Sequence, residues 1–296
     1  LQVRKAYNVL KSNPKSFFKL VKNKLRILTP LDYHLMSNGY SLPPIAITIE
    51  LVHTCNLRCK MCDLYSLDAG GSLETNRDLL RAVTYTKDEA CQLEDWKKVI
   101  DKLTSKPVIN ITGGEPFLFG PIIELCRYIK DRGFVLTITT NGTLIKRFIP
   151  EIVKTGIYNI TISIDGDEKM HDDIRGIKGA FQKSIGNLRV LEEEKKKQGV
   201  KQPSLQINMT TSPFNHHRLS EIMQSIESEK LPLARLVLSH LWYWDKKIID
   251  DHNKKHSHWN SYVVQNVDGM DKMRGEVVAN EIEKIKRMKL SFPIKY

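Results

Sequence analysis

Six short runs rich in β-branched residues, separated by stretches of helical periodicity, constrain this chain more than any other feature. They are Ile45–Val52, Val108–Thr112, Phe134–Thr139, Asn159–Ile164, Leu205–Thr210 and Arg235–His240, each of a length and composition that reads as a strand. The segments between them carry helix punctuation. Thr86 and Glu89 stand at capping-box spacing, with Leu93, Trp96, Ile100 and Leu103 following at helical spacing. Pro121 suits a first helical position, and Ile122, Leu125, Cys126 and Ile129 form one apolar face that ends near Gly133. Further helices are expected to end near Gly156, to run through the LEEEKKK stretch to Gly199, and to follow Pro213. Such alternation predicts parallel strands joined by right-handed crossovers. Six units fall short of a closed eight-fold barrel. The expected fold is therefore α/β, a partial (β/α)6 barrel over residues 45–240 with its active site at the C-terminal strand ends. A basic N-terminal helical extension (1–44) and a helical C-terminal extension (241–296) flank it.

Charge and cysteine usage narrow the function classes. The formal charge of +12 admits nucleic acid, anionic lipid or an acidic substrate and selects none of them; a solvated basic surface is the simpler reading. No run approaches the ~20 apolar residues of a membrane span. Lysine interrupts the short first apolar run, so the N-terminal segment does not read as a secretory signal. An odd number of cysteines, five, argues against a disulfide framework. A reducing cytoplasm is the expected compartment. From Pro14 to Leu28, Phe17, Phe18, Val21, Leu25 and Leu28 share one helical face, and Lys15, Lys19, Lys22 and Arg26 share the opposite one. Such a helix packs on the barrel or lies on a membrane surface as a peripheral anchor.

Three of the five cysteines fall within eight residues, in the run CNLRCKMC from Cys55 to Cys62. The run follows the first strand directly, which places it at a C-terminal strand end. A structural zinc site wants four ligands, usually as two close pairs; His53 is the nearest candidate for a fourth, but the pairs are missing. A [4Fe–4S] cluster is normally held by four thiolates. Held by Cys55, Cys59 and Cys62, it keeps one iron open to a ligand that is not protein, while Arg58 and Lys60 offset part of its negative charge. Other strand ends carry polar signatures. The second ends in TGGEP (Thr112–Pro116), where two glycines let the backbone approach a ligand and Glu115 can meet an ammonium group. The third ends in TTNGT (Thr139–Thr143), and the fourth in SIDG (Ser163–Gly166), followed by HDDIRG with Arg175.

In this order, CNLRCKMC, TGGEP and the SIDG…HD.IRG…GAF pattern from Ser163 to Phe181 resemble the radical S-adenosylmethionine (radical SAM) superfamily over residues 45–240. The last pattern is similar to the branch that often carries a SPASM or twitch auxiliary-cluster domain. The resemblance implies a [4Fe–4S] cluster on Cys55, Cys59 and Cys62 whose open iron takes the amine and carboxylate of S-adenosylmethionine. It implies that Gly113, Gly114 and Glu115 hold the amine, and that Asn141 or its neighbours, Ser163 and Asn208 line the ribose and carboxylate side. It further implies that Arg175 pairs with the carboxylate and that Met61, where the family often has an aromatic, packs near the adenine. One electron from the cluster cleaves the sulfonium to a 5′-deoxyadenosyl radical, which abstracts hydrogen from a substrate: a peptide, a lipid or a small metabolite. A flavodoxin-like or ferredoxin-like electron donor is implied too. No cysteine follows Cys126, so the auxiliary domain is expected either to be absent or to lie beyond Tyr296; the segment SFPIKY resembles one that leads into it, and the chain opens on Leu1 rather than Met. The alternative is a zinc-binding module with a basic nucleic-acid-binding surface, in which TGGEP and SIDG have no role.

Other residues read as structural. Cys126 lies on the apolar face of its helix, and Cys91 falls off the stripe of its own. His252, His256 and His258 read as a solvated loop or helix end before a metal site. Leu241–Trp244 walls a substrate pocket or plugs the barrel. Asp165 and Asp167 read as turn residues, His216 and His217 as a helix start, and residues 63–87 as a polar linker.

Overall fold

The computed structural model describes residues 43–62, 91–241, 246–257 and 273–296. Within them seven strands pair in chain order, each parallel to the next. They are β1 (Ala46–Glu50), β2 (Val108–Thr112), β3 (Val135–Thr140), β4 (Asn159–Ser163), β5 (Ser204–Thr211), β6 (Leu233–His240) and β7 (Ile294–Lys295). The helices are α1 (Leu93–Asp101), α2 (Ile122–Asp131), α3 (Ile149–Thr155), α4 (Glu168–Arg175), α5 (Ala180–Lys197), α6 (Leu219–Ser228), α7 (Lys246–Lys255) and α8 (Gly275–Lys286). The sheet is open, as expected. It has one strand more than the sequence suggests, because Ile294 and Lys295 add to β6 from the far end of the chain. The amphipathic stretch 14–28, the linker 63–87, the capping box at Thr86 and the aromatic run 242–244 lie outside the described residues, as does His258.

The strands alternate, and the alternation separates two chemistries. Ile109, Ile111, Leu136, Ile138, Ile160, Ile162, Leu205 and Ile207 face the helices, each at most 1% exposed. They form one core with Ile122, Leu125, Cys126 and Ile129 of α2, Ile185 and Leu188 of α5, and Ile222 and Ile226 of α6. Cys126 is wholly buried there, and burial pushes its thiol up to about 12, which makes it an inert packing residue. Ile285 of α8 and Phe292 belong to the same core. Glu281 of α8 caps the first turn of α6, accepting from the Ser220 backbone N–H and hydroxyl at 2.8 and 2.7 Å. The inner face carries Asn110, Thr112, Thr137, Thr139, Thr161, Ser163, Gln206, Asn208 and Thr210. Among the described residues no helix is long and apolar enough to cross a membrane.

Candidate active site

The cysteine loop leaves β1 and is pinned from three sides. Toward β2, the extension of β1 continues the ladder: Leu51 N–H donates to Thr112 at 2.9 Å, Gly114 N–H to Val52 at 2.6 Å, and Glu115 N–H to Thr54 at 2.9 Å. This pairing explains the two glycines. Gly113 has φ of +131°, and a Cβ on it would strike the Val52 carbonyl; a Cβ on Gly114 would strike the Thr54 carbonyl. The close approach is thus to the chain's own backbone. Toward β3, Asn56 donates to Thr143 Oγ1 at 2.8 Å and accepts from Asn141 Nδ2 at 3.0 Å. On the third side, Arg58 N–H donates to the Arg175 carbonyl at 3.1 Å and Lys60 N–H to that of Ile174 at 2.8 Å, with a Lys60–Asp173 ion pair at 2.7 Å. Gly176 ends α4 under this loop, with its missing Cβ facing the Arg58 carbonyl.

The motif residues around the loop prove to be braces. Glu115 is fully buried. Its carboxylate accepts from Phe117 N–H at 3.1 Å, Thr140 Oγ1 at 2.7 Å and Asn141 N–H at 2.9 Å, tying the tip of β2 to that of β3. Burial pushes its carboxyl pKa up, against the pull of those three donors. The sequence offers this carboxylate to an ammonium group; in the structure three chain donors address it. His171 accepts at Nδ1 from Asp165 N–H at 3.2 Å. Asp172 receives the Phe181 N–H at 2.9 Å and the Gly179 N–H at the head of α5. Asp165 corrects its reading as a turn residue. It is fully buried, forms an ion pair with Arg175, and accepts from Thr210 N–H at 2.8 Å. Asp167 does act locally, capping α4 through Met170 N–H at 3.0 Å.

The braces surround a pocket of about 230 Å³. Cys55, Cys59 and Cys62 line it together with Met61, Gly113, Gly114, Asn141, Ser163 and Arg175. Four consecutive strands each contribute a hydroxyl-bearing residue to its lining: Thr112, Thr139, Ser163 and Thr210. Leu241 closes the apolar side beside Met61 and Ile174. Two of the predicted residues stand elsewhere. Glu115 is behind the wall, and Asn208 accepts the Ser239 hydroxyl at 2.6 Å without lining the pocket. Thr210 is the residue that motif reading missed, whereas Thr112 and Thr139 stand in the quoted strand-end motifs without a role assigned to them. The period-two spacing of Thr210 from Asn208 was the signal that could have found it. Cys91 is exposed and does not line the pocket, and none of the five cysteines is in a disulfide.

The donor set fits an iron–sulfur cluster better than a single ion. Among the described residues no three His, Cys, Asp or Glu side chains are gathered closely enough to hold one metal ion, which disfavours the closed tetrahedral zinc site. The cysteines instead border a pocket of many water volumes. Chain donors already address the sulfurs. Leu57 N–H and Asn141 Nδ2 approach Cys55 Sγ at 3.4 and 3.8 Å, and Arg175 Nη1 approaches Cys59 Sγ at 3.6 Å. Burial pushes the Cys55 thiol pKa up, so its thiolate needs such donors or a metal.

Comparisons with known proteins agree with this geometry. The family model described as the radical SAM superfamily matches residues 49–226. The chain is 30% identical over 216 residues to the Fe-coproporphyrin III synthase of Methanosarcina barkeri, covering 72% of this chain and 48% of that protein. It is 30% identical over 162 residues to the antilisterial bacteriocin subtilosin biosynthesis protein AlbA of Bacillus subtilis, covering 53% and 32%. Among solved structures, Streptococcus suis SuiB bound to S-adenosylmethionine superposes with a TM-score of 0.59 at 15% identity, covering 99% of this chain and 59% of that one. That likeness concerns the fold. The chain spans about half the length of the curated relatives it matches, or less.

Proposed function

Because this chain belongs to the radical SAM superfamily, whose members use a [4Fe–4S] cluster and S-adenosylmethionine, we propose that Cys55, Cys59 and Cys62 hold that cluster and that the pocket beside them takes the sulfonium. The observation that carries the reading is the meeting of three cysteines, Gly113–Gly114 and four hydroxyl-bearing strand residues in the lining of one cavity. When bound, the two cofactors supply a 5′-deoxyadenosyl radical that takes a hydrogen atom from the substrate. The chain's part is to bind and orient. Thr112, Thr139, Ser163, Thr210 and Asn141 offer hydrogen bonds to the polar parts of the cofactor, and Met61 and Leu241 offer an apolar wall to its adenine. Gly113 and Gly114 keep the wall thin beside the amine. Glu115 acts at one remove, by fixing the β2 and β3 tips.

A flavodoxin-like or ferredoxin-like protein is the proposed electron donor. The names of the relatives offer two substrate classes, and the 34% identity to an AdoMet-dependent heme synthase against 26% to a PqqA peptide cyclase supports a tetrapyrrole ahead of a peptide. Contact of residues 14–28 with a membrane surface is a further proposal; liposome co-sedimentation that is unchanged on deleting residues 1–40 removes it. The test of the central reading is anaerobic reconstitution of the native chain and of the Cys55→Ala/Cys59→Ala/Cys62→Ala variant. The native chain is expected to take up about four irons and, with dithionite, to form 5′-deoxyadenosine, and the triple variant to do neither. A colourless native protein with stoichiometric zinc overturns it.

A further inference from the structure

On the side away from the pocket the cysteine loop has a thin wall. Ala180, at the head of α5, is buried in one small apolar cluster with Leu57 and Cys59, and Cys55 and Cys62 pack against it. Arg58 N–H donates to the Arg175 carbonyl at 3.1 Å, so the end of α4 runs against the loop. A Cβ on Gly176 would lie 2.4 Å from the Arg58 carbonyl. The cysteines are therefore backed here by Leu57, Ala180 and the turn at 176–179. The next residue of that turn, Ile177, is apolar and 40% exposed.

The rim of this turn is basic. Arg58, Lys60, Lys178 and Lys183 are exposed. Arg58 is held to the ligand loop itself, its Nη1 donating to the Cys55 and Leu57 carbonyls at 2.9 and 2.8 Å. Lys183 stands on the first turn of α5, its N–H donating to the Gly179 carbonyl at 3.0 Å. Two exposed carboxylates stand nearby. Asp173 is paired with Lys60 at 2.7 Å, and Glu168 accepts from Gln182 at 2.8 Å. Among the described residues Lys178 and Lys183 have no acidic partner. A single exposed isoleucine is ordinary on a protein surface. Here the turn that exposes it also backs the cluster ligands and carries uncompensated cations.

We propose that the face made by Arg58, Ile177, Lys178 and Lys183 is the docking site of the electron donor, and that this donor is an acidic flavodoxin-like protein. The inference rests on the cluster assignment under the proposed function. Electron tunnelling falls off exponentially with distance, so a donor gains most by approaching over the thinnest wall. The apolar edge of a bound flavin, ringed by carboxylates, complements an isoleucine ringed by cations. Redox encounters bury less than about 1,200 Å², so a contact centred on one short turn suffices. In the transfer the reduced flavin gives up one electron and the oxidised cluster takes it, with no bond made or broken.

The experiment is stopped-flow reduction of the anaerobically reconstituted protein by photoreduced acidic flavodoxin at low salt, read as bleaching of the visible cluster absorption. Rates are compared per reducible cluster, so partial loading leaves the comparison intact. Dithionite, a small donor that needs no docking, is the control. Lys178→Glu/Lys183→Glu is expected to lower the second-order rate with flavodoxin about tenfold or more, and Lys178→Gln/Lys183→Gln to lower it less. Both are expected to keep the dithionite rate within about twofold of native, and at high salt all flavodoxin rates are expected to converge. Lys154 and Lys201 are exposed and precede β4 and β5, at the opposite ends of the strands. Lys154→Glu/Lys201→Glu is expected to leave the flavodoxin rate within about twofold of native. Carbodiimide cross-linking of the native protein to flavodoxin, mapped by mass spectrometry, is expected at Lys178 or Lys183. A native flavodoxin rate in Lys178→Glu/Lys183→Glu, an equal loss in Lys154→Glu/Lys201→Glu, or cross-links confined to other lysines overturns the proposal. So does a Lys178 and Lys183 dependence seen with an acidic ferredoxin and absent with flavodoxin. Failure of the native chain to take up iron, or of dithionite to reduce it, refutes the cluster assignment instead.

Discussion

The two faces of the sheet differ sharply although they share every strand. On β3, Leu136 and Ile138 face the helices and are fully buried, whereas Thr137 and Thr139 between them face inward and donate to Asn110 Oδ1 at 3.0 and 3.3 Å. The same holds on β4, where Ile160 and Ile162 alternate with Thr161 and Ser163, and on β5, where Ile207 and Met209 alternate with Asn208 and Thr210. The outer face supplies the apolar burial that drives folding. The inner face adds little burial of its own and is free to carry chemistry. What makes it a site is a third layer, the cysteine loop and its braces, which closes over the strand tips by backbone contact.

That division is open to breaking by substitution. The largest effect is expected at the brace. Gly114→Ala drives a Cβ into the Thr54 carbonyl, whereas Gly120→Ala meets nothing within 4 Å. The first variant is expected to lose most of its iron loading and the second to keep it, as read by iron count per chain after reconstitution. Ile138→Ala, on the outer face of β3, is expected to cost about 2–5 kcal/mol in urea unfolding while leaving iron content per folded chain unchanged.

A smaller, pH-dependent effect belongs to His171. Burial and the nearby Arg175 hold its pKa well below 6.5, and its Nδ1 is occupied by Asp165 N–H. A base whose folded pKa is depressed binds more protons when unfolded. Its contribution is therefore full above about pH 6.5 and is lost as pH falls toward the folded value, by about 1.4 kcal/mol per unit. His171→Gln is expected to flatten the fall in urea midpoint between pH 7 and pH 5.5 relative to the native chain. An equal slope in the variant contradicts a neutral buried imidazole. The smallest effect is expected for Thr139→Val on the inner face. Stability should change by less than about 1 kcal/mol and S-adenosylmethionine binding should weaken about two- to tenfold.

Much of this was legible before the structure. The six longer strands announce themselves through β-branched alternation, and the polar strand-end motifs fall where a parallel barrel puts its site. β7 was not legible, because two residues carry no period. Neither was α4, whose sequence EKMHDDIR is too polar to show an apolar stripe. What the sequence hides shares one cause. Gly113 and Gly114 do line the pocket, but nothing local shows that these two glycines and Glu115 also pack against Val52, Thr54, Thr140 and Asn141, most of which lie dozens of residues away along the chain. Asp165 looks like a turn residue because SIDG is a turn, and nothing local reveals that Arg175 and Thr210 converge on its carboxylate.

The central claim is that three cysteines leave one iron of the cluster open to S-adenosylmethionine. The measurement closest to it is electron–nuclear double resonance on the reduced, reconstituted protein mixed with S-adenosylmethionine labelled with ¹⁷O in the carboxylate and ¹⁵N in the amine. Hyperfine coupling from both nuclei to the cluster is expected. A fully loaded, reducible cluster that shows neither coupling at saturating S-adenosylmethionine contradicts the claim.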